Sequence, residues 1–142
     1  MSQVDFYVLN ASGESNRQHF ACRLAEKAYR LNNSVHIQVA DQQSAAQIDE
    51  LLWTFRDGSF VPHEILQVAT DKSEAPVTIG SDVLPGTDCD LLINLSDSIP
   101  ESSAAFVRVA EIVTSDDESK KRSRQHFVEY RNEGHKLNSH QL

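Results

Sequence analysis

Glycine is scarce in this chain of 142 residues, with only five. The two common phosphate-cradling loops, G-x-G-x-x-G and G-x-x-x-x-G-K-[ST], need clustered glycines, and neither pattern occurs. The turn after the first apolar run, Asn10-Ala11-Ser12-Gly13-Glu14, holds a single glycine. Cysteine is scarcer still. Cys22 and Cys89 are far apart, with no C-x-x-C spacing and no histidine cluster beside either, which argues against a structural zinc or a disulfide framework. Cys22 falls on an apolar helical stripe, where a free buried thiol is expected. No apolar run approaches the roughly 20 residues needed to span a bilayer. The opening Met1-Ser2-Gln3-Val4-Asp5 lacks the basic stretch of a signal peptide. A cytoplasmic protein with no membrane partner is therefore expected.

Positive charge is also in the minority. Thirteen Lys and Arg stand against 21 Asp and Glu, a formal net charge of −8. Phosphate binding needs cations to displace counterions, so such a chain is a poor general binder of nucleic acid. The patterns of catalysis are missing too. The six histidines form neither H-E-x-x-H nor H-x-H, and no serine has a G-x-S-x-G context. Asp88 and Asp90, two apart at a strand entrance, point to opposite faces once the strand begins. Catalytic, cofactor and metal sites are all expected to be none.

What is present is the patterning of a globular α/β domain, 39% hydrophobic and 24% charged. Val4 to Leu9 reads as a buried strand, and residues Ser15 to Leu31 carry Phe20, Leu24, Ala28 and Leu31 at helical spacing. Ser12 or Ser15 is the expected cap of that helix, and Asn32-Asn33 its end. Ser34 to Ala40 alternates as a second strand, and Asp41 is a good cap for a second helix from Gln43 to Phe55. Further strands are expected at Ile65–Val68, Pro76–Gly80 and Asp90–Leu95, with a turn at Leu84–Thr87 and a loop or helical turn over Ser96–Ser103. Ala105 to Val113 reads as a last strand, alone or after a short helix. Asp116 and Asp117 open a final helix running to Glu133, Gly134 stops it, and residues 135–142 read as a tail. The alternation of strand and helix favours a mostly parallel, Rossmann-like sheet flanked by helices in three layers, without the nucleotide motif. The length fits one domain over residues 1–142.

Two stretches stand out. From Trp53 to His63 the chain gathers its only tryptophan, Phe55, Phe60 and Pro62 in a segment that reads as a loop. Loops are normally polar, so these aromatics either fold back into the core or face a partner. On the last helix, Lys120, Arg124, Phe127 and Arg131 follow one another at spacings of four, three and four, with Val128 beside them. That strip suits an acidic peptide with an apolar anchor. By periodicity alone it better suits a surface helix whose cations match its C-terminal half and whose Phe127 and Tyr130 are core.

These residues resemble the chi subunit family of bacterial DNA polymerase III. The resemblance rests on Asp49-Glu50-Leu51-Leu52-Trp53 followed by Ser59-Phe60-Val61-Pro62-His63, and on Phe6-Tyr7-Val8-Leu9. It extends to Asp90 through Leu95, Val109 through Val113, Tyr130 through Gly134, and Leu137-Asn138. It implies an adaptor with no catalytic activity of its own, attached to the clamp loader through the psi subunit. It also implies binding of the acidic, phenylalanine-ended C-terminal tail of single-stranded DNA-binding protein, so that DNA is met only indirectly. By this resemblance the psi contact maps onto Trp53, Phe60, Val61, Pro62 and His63, a surface for which a DNA-repair helicase competes. The tail site maps onto Val113, Lys120, Arg124 and Phe127, to which the helix face adds Val128 and Arg131. The chain departs from the family pattern in having Phe127 in place of a tyrosine and Val128 in place of a lysine. The rival from another class is a small nucleotide-binding or nucleotide-modifying α/β enzyme.

Overall fold

In a computed structural model, residues 2–58, 60–67, 75–81, 89–100 and 106–142 are described. Strand β1 (Gln3–Val8) leads to helix α1 (Glu14–Arg30), β2 (Val35–Gln38) and α2 (Gln42–Thr54). There follow β3 (His63–Ile65), β4 (Val77–Gly80), β5 (Leu91–Asn94), β6 (Arg108–Val113), α3 (Asp117–Asn132) and β7 (Lys136–Gln141). The seven strands form one sheet in the order β3-β4-β2-β5-β6-β1-β7, and every pairing is parallel. This is the α/β class the sequence predicts. β5 runs apolar over Leu91-Leu92-Ile93, as suits a parallel sheet covered on both faces.

Successive side chains on each strand divide between two cores. Ile37, Ile79, Leu91, Ile93, Ala110 and Ile112 meet Ala21, Ala25, Ile48 and Leu52 of α1 and α2. Val4, Phe6, Leu92, Val109 and Val113 meet Tyr130 of α3 on the other face. Cys22 is buried in the first core, and burial pushes its thiol up to about 12. Cys89 is likewise buried and free.

Local signals account for most element ends. The Asp41 side chain accepts from the Ser44 amide at 2.7 Å and starts α2. Helix α1 is not capped by Ser12 or Ser15. Its cap position is Gly13, whose amide donates instead to Asp116 Oδ2 at 2.9 Å. That carboxylate reaches in from the start of α3 and also accepts from the Thr114 hydroxyl. Both long helices end alike. Asn32 (φ 63°) and Gly134 (φ 85°) take the left-handed conformation that lets the next amides return to the last carbonyls.

Several expectations shift or fall outside the described residues. The strand sought at Ile65–Val68 begins earlier, as β3, and Val68 lies outside the described residues. The turn at Leu84–Thr87 and the end of the Ser96–Ser103 segment also lie outside them, while residues 96–100 form neither helix nor strand. The last strand starts only at Arg108, with no helix at Phe106 or Val107. The predicted tail is largely strand. β7 pairs with β1 along its whole length, Gln3 against Lys136 through Val8 against Gln141. An edge strand with a single large apolar side chain, Leu137, carries little hydrophobic signal.

Gly134 turns the chain from α3 into β7, and a Cβ there would meet no atom within 4 Å, so replacement is resisted only by the backbone. Gly134→Ala is expected to lower unfolding free energy by about 1–2 kcal/mol in urea titration. An unchanged midpoint would contradict the left-handed turn.

Candidate functional site

The aromatic segment begins on a helix. Trp53 occupies the last turn of α2, and its ring meets those of Phe60 at 5.5 Å and His63 at 4.9 Å. Trp53 is 55% exposed and Phe60 61%. The rest of the segment points inward. Val61 is 1% exposed and belongs to the core under α1 and α2. The His63 side chain is buried, its Nδ1 donating to the Val61 carbonyl at 2.6 Å. Its Nε2 lies 3.1 Å from Asp49 Oδ1 but is not aligned for a hydrogen bond. Pro62 is half-buried. Five residues singled out from the sequence thus divide by role. Val61 anchors the segment, His63 props the indole from below, and Trp53 with Phe60 forms the accessible surface at the β3 edge.

Helix α3 separates its residues in the same way. Ser119, His126 and Tyr130 point into the protein, while Lys120, Arg124 and Arg131 stand in solvent. Among the described residues none of these three cations has a carboxylate partner. Phe127 is 37% and Val128 42% exposed. The Phe127 ring leans on buried Phe6 at 5.6 Å, which sits in one core with Val113, and half-buried Val8 packs against that core. Tyr130 is core and Phe127 is not, so the strip has both the apolar anchor and the free cations that an acidic peptide requires.

What lies under this helix has no counterpart in the sequence motifs. Glu111 on β6 is buried, and three donors converge on it. His126 Nδ1 donates to Oε1 at 2.9 Å, while Tyr130 Oη and Asn94 Nδ2 each donate to Oε2 at 2.7 Å. His126 Nε2 donates in turn to the Asp97 carbonyl at 3.0 Å. Burial alone would lower the pKa of His126, but the hydrogen bond and charge of Glu111 outweigh it and raise it above the ordinary value. Burial and the same carboxylate push the Tyr130 hydroxyl upward, so it stays a donor. The spacing of Ser119, His126 and Tyr130 was the only available signal, and it reads as an ordinary inner stripe.

The place where a nucleotide would sit in such a fold, beyond the carboxyl ends of the strands, is unsuited to one. A cleft of about 450 Å³ there is lined by Glu14, Asp116, Asp117 and Glu118. Its buried cation, Arg17, is committed to the carbonyls of Ile112 and Leu95 and to Glu14. The Gly13 amide at the start of α1 is taken by Asp116. A phosphate would meet these four carboxylates, with Arg122, 3.7 Å from Asp97, as the lining cation left to it. Among the described residues no cluster of three or more His, Cys, Asp or Glu could hold a metal ion. Among them also, no helix is long and apolar enough to cross a membrane.

The fold and these two faces define a parallel α/β protein built around exposed aromatic and cationic surfaces, with an acidic cleft where a nucleotide site would be. Residues 1–138 match the family model of the DNA polymerase III chi subunit, HolC. The chain is 40% identical to the DNA polymerase III subunit chi of Pseudomonas aeruginosa over 142 residues, which is 100% of this chain and 98% of that protein. It is 31% identical to the Haemophilus influenzae subunit chi over 139 residues, covering 96% and 94% of the two chains. The Escherichia coli subunit chi is 30% identical over 144 residues, covering 98% and 97%. This protein belongs to the DNA polymerase III chi subunit family.

The division of the aromatic segment is testable by stability alone. Phe60→Ala should leave unfolding free energy within about 0.5 kcal/mol of the parent. Val61→Ala should cost about 1–3 kcal/mol. Equal losses in urea titration would contradict the assignment of one to surface and the other to core.

Proposed function

We propose that this chi-family protein is a non-catalytic adaptor of the replication machinery that joins the psi subunit of the clamp loader to the acidic tail of single-stranded DNA-binding protein. The observation that carries the reading is the pairing of exposed apolar groups with different surroundings at two places. Trp53 and Phe60 lie against each other in the open, their rings tilted at 48°. Buried aromatic anchors dominate protein–protein affinity, and two rings held in place lose little entropy on docking. This pair is the psi contact. The DNA-repair helicase implied by the resemblance would use the same pair and so compete with psi.

Phe127 and Val128 receive the apolar end of the tail, beside Lys120, Arg124 and Arg131, which hold its carboxylates. The acidity of the whole chain fits this arrangement. An acidic body repels DNA, while a local basic strip still attracts an acidic peptide at short range. DNA is reached through the tail's owner.

Phe60→Ala should weaken psi binding by about 2–4 kcal/mol in calorimetry, with tail binding intact. Unchanged psi affinity in the folded variant would remove that site. Arg124→Ala should weaken an acidic, phenylalanine-ended peptide by about 1.5–3 kcal/mol. The parent affinity should also fall as salt is raised from about 0.05 to about 0.5 M. An unchanged low-salt titration would remove the tail site.

A further inference from the structure

His126 lies on α3 directly between the proposed tail-binding residues Arg124 and Phe127, but on the inner side. Its two ring nitrogens face a carboxylate oxygen and a backbone carbonyl, at 2.9 and 3.0 Å. Both partners are acceptors only. A neutral imidazole has one N–H, so one contact would set a nitrogen lone pair against an oxygen lone pair. With Glu111 ionised, both contacts are satisfied only by the imidazolium. Glu111 is equally constrained. Its partners His126, Tyr130 and Asn94 each offer it a donor, which suits the carboxylate.

We propose that His126, held as an imidazolium, is the positioning residue of the tail-binding face. It locks α3 to β6 through Glu111 and to the β5–β6 connection through Asp97, so that Arg124, Phe127 and Val128 stand as one preorganised surface. This inference rests on the tail-binding reading. Loss of the ring proton removes one of the two donated bonds and leaves Glu111 buried without its cation. The helix then eases off the sheet, and the contact of Phe127 with Phe6 loosens with it.

The groups facing His126 come from four elements. β6 supplies Glu111 and β5 supplies Asn94, which shares the same carboxylate. The connection after β5 supplies the Asp97 carbonyl, with the Asp97 carboxylate 3.7 Å from Arg122. α3 itself supplies Tyr130 and the charge of Glu129. The balance favours the cation. A group whose folded pKa is raised stabilises the fold fully below its unfolded value of about 6.5, and that stabilisation is lost as pH rises through the folded pKa. Tail affinity follows the same direction. Lysine and arginine ordinarily lose their charge only at about pH 10 and above, and carboxylates gain theirs by about pH 5, so neither class of group accounts for a fall in the neutral range.

The test is titration of the full-length protein with an acidic peptide ending in phenylalanine, by fluorescence anisotropy from about pH 6 to pH 9, with the His126 ring followed by NMR. Affinity should fall about three- to thirty-fold over the range in which His126 loses its proton. His126→Gln should bind more weakly and without that pH dependence. His126→Arg, which keeps the charge and several donors, should recover affinity and hold it across the range. His135 and His140 are present in all three proteins and cancel in the comparison. Should neither variant fold, the wild-type curves still decide. Affinity that ignores His126 titration overturns the proposal, as does a ring signal showing a neutral tautomer at pH 6. Binding of the peptide at no pH removes the tail reading itself, and this inference with it.

Discussion

A carboxylate taken out of water needs its charge matched or its proton kept, and Glu111 meets the first condition with an imidazolium, a phenol and an amide. Those three groups come from α3 and β5, so one buried charge ties the helix, its own strand and the neighbouring strand together. Apolar packing alone, of Tyr130 against Phe6, Val109 and Val4, would hold α3 near the sheet without fixing its rotation. Directional bonds fix it. They determine which residues of α3 face outward, and hence that three cations and Phe127 share one side. Buried polar networks often serve specificity more than stability, and here the specificity is that of a helix face.

The two exposed surfaces belong to different parts of the sheet. The Trp53–Phe60 pair adjoins β3 at one edge, and Phe127 lies over β1 towards the other. Five strand intervals separate β3 from β1, roughly 24 Å at ordinary strand spacing. Helices α1 and α2 cover one face and α3 the other. Two partners can therefore sit on the protein without sharing residues, and the rigid sheet sets their separation. The cleft at the place where related folds take nucleotides is lined mainly by carboxylates, and Arg17 and the Gly13 amide there are already bonded within the protein. On the proposed reading the architecture serves as a spacer.

Strands such as Leu91–Asn94 were legible because burial on both faces demands continuous apolar residues. The amphipathic helices were legible from their stripes, and the ends of α1 and α3 from Asn32 and Gly134. β7 was not, since an edge strand next to solvent needs only Leu137 on its inner side. The cap of α1 was misplaced because its donor is met by Asp116, about a hundred positions away, and no local signal reports that. At the site, composition marked the aromatic segment but could not separate Val61 from Phe60, which are adjacent and face opposite ways. Likewise the outer residues of α3 were found by spacing, while Glu111 and His126 are brought together only by the fold.

The central claim is that the two surfaces act at once and independently. Sedimentation velocity of this protein mixed with the psi subunit and a labelled acidic, phenylalanine-ended peptide tests it most directly. The account predicts one species containing all three components, with the peptide bound as tightly as in the absence of psi. Displacement of the peptide by psi, or of psi by the peptide, would contradict it.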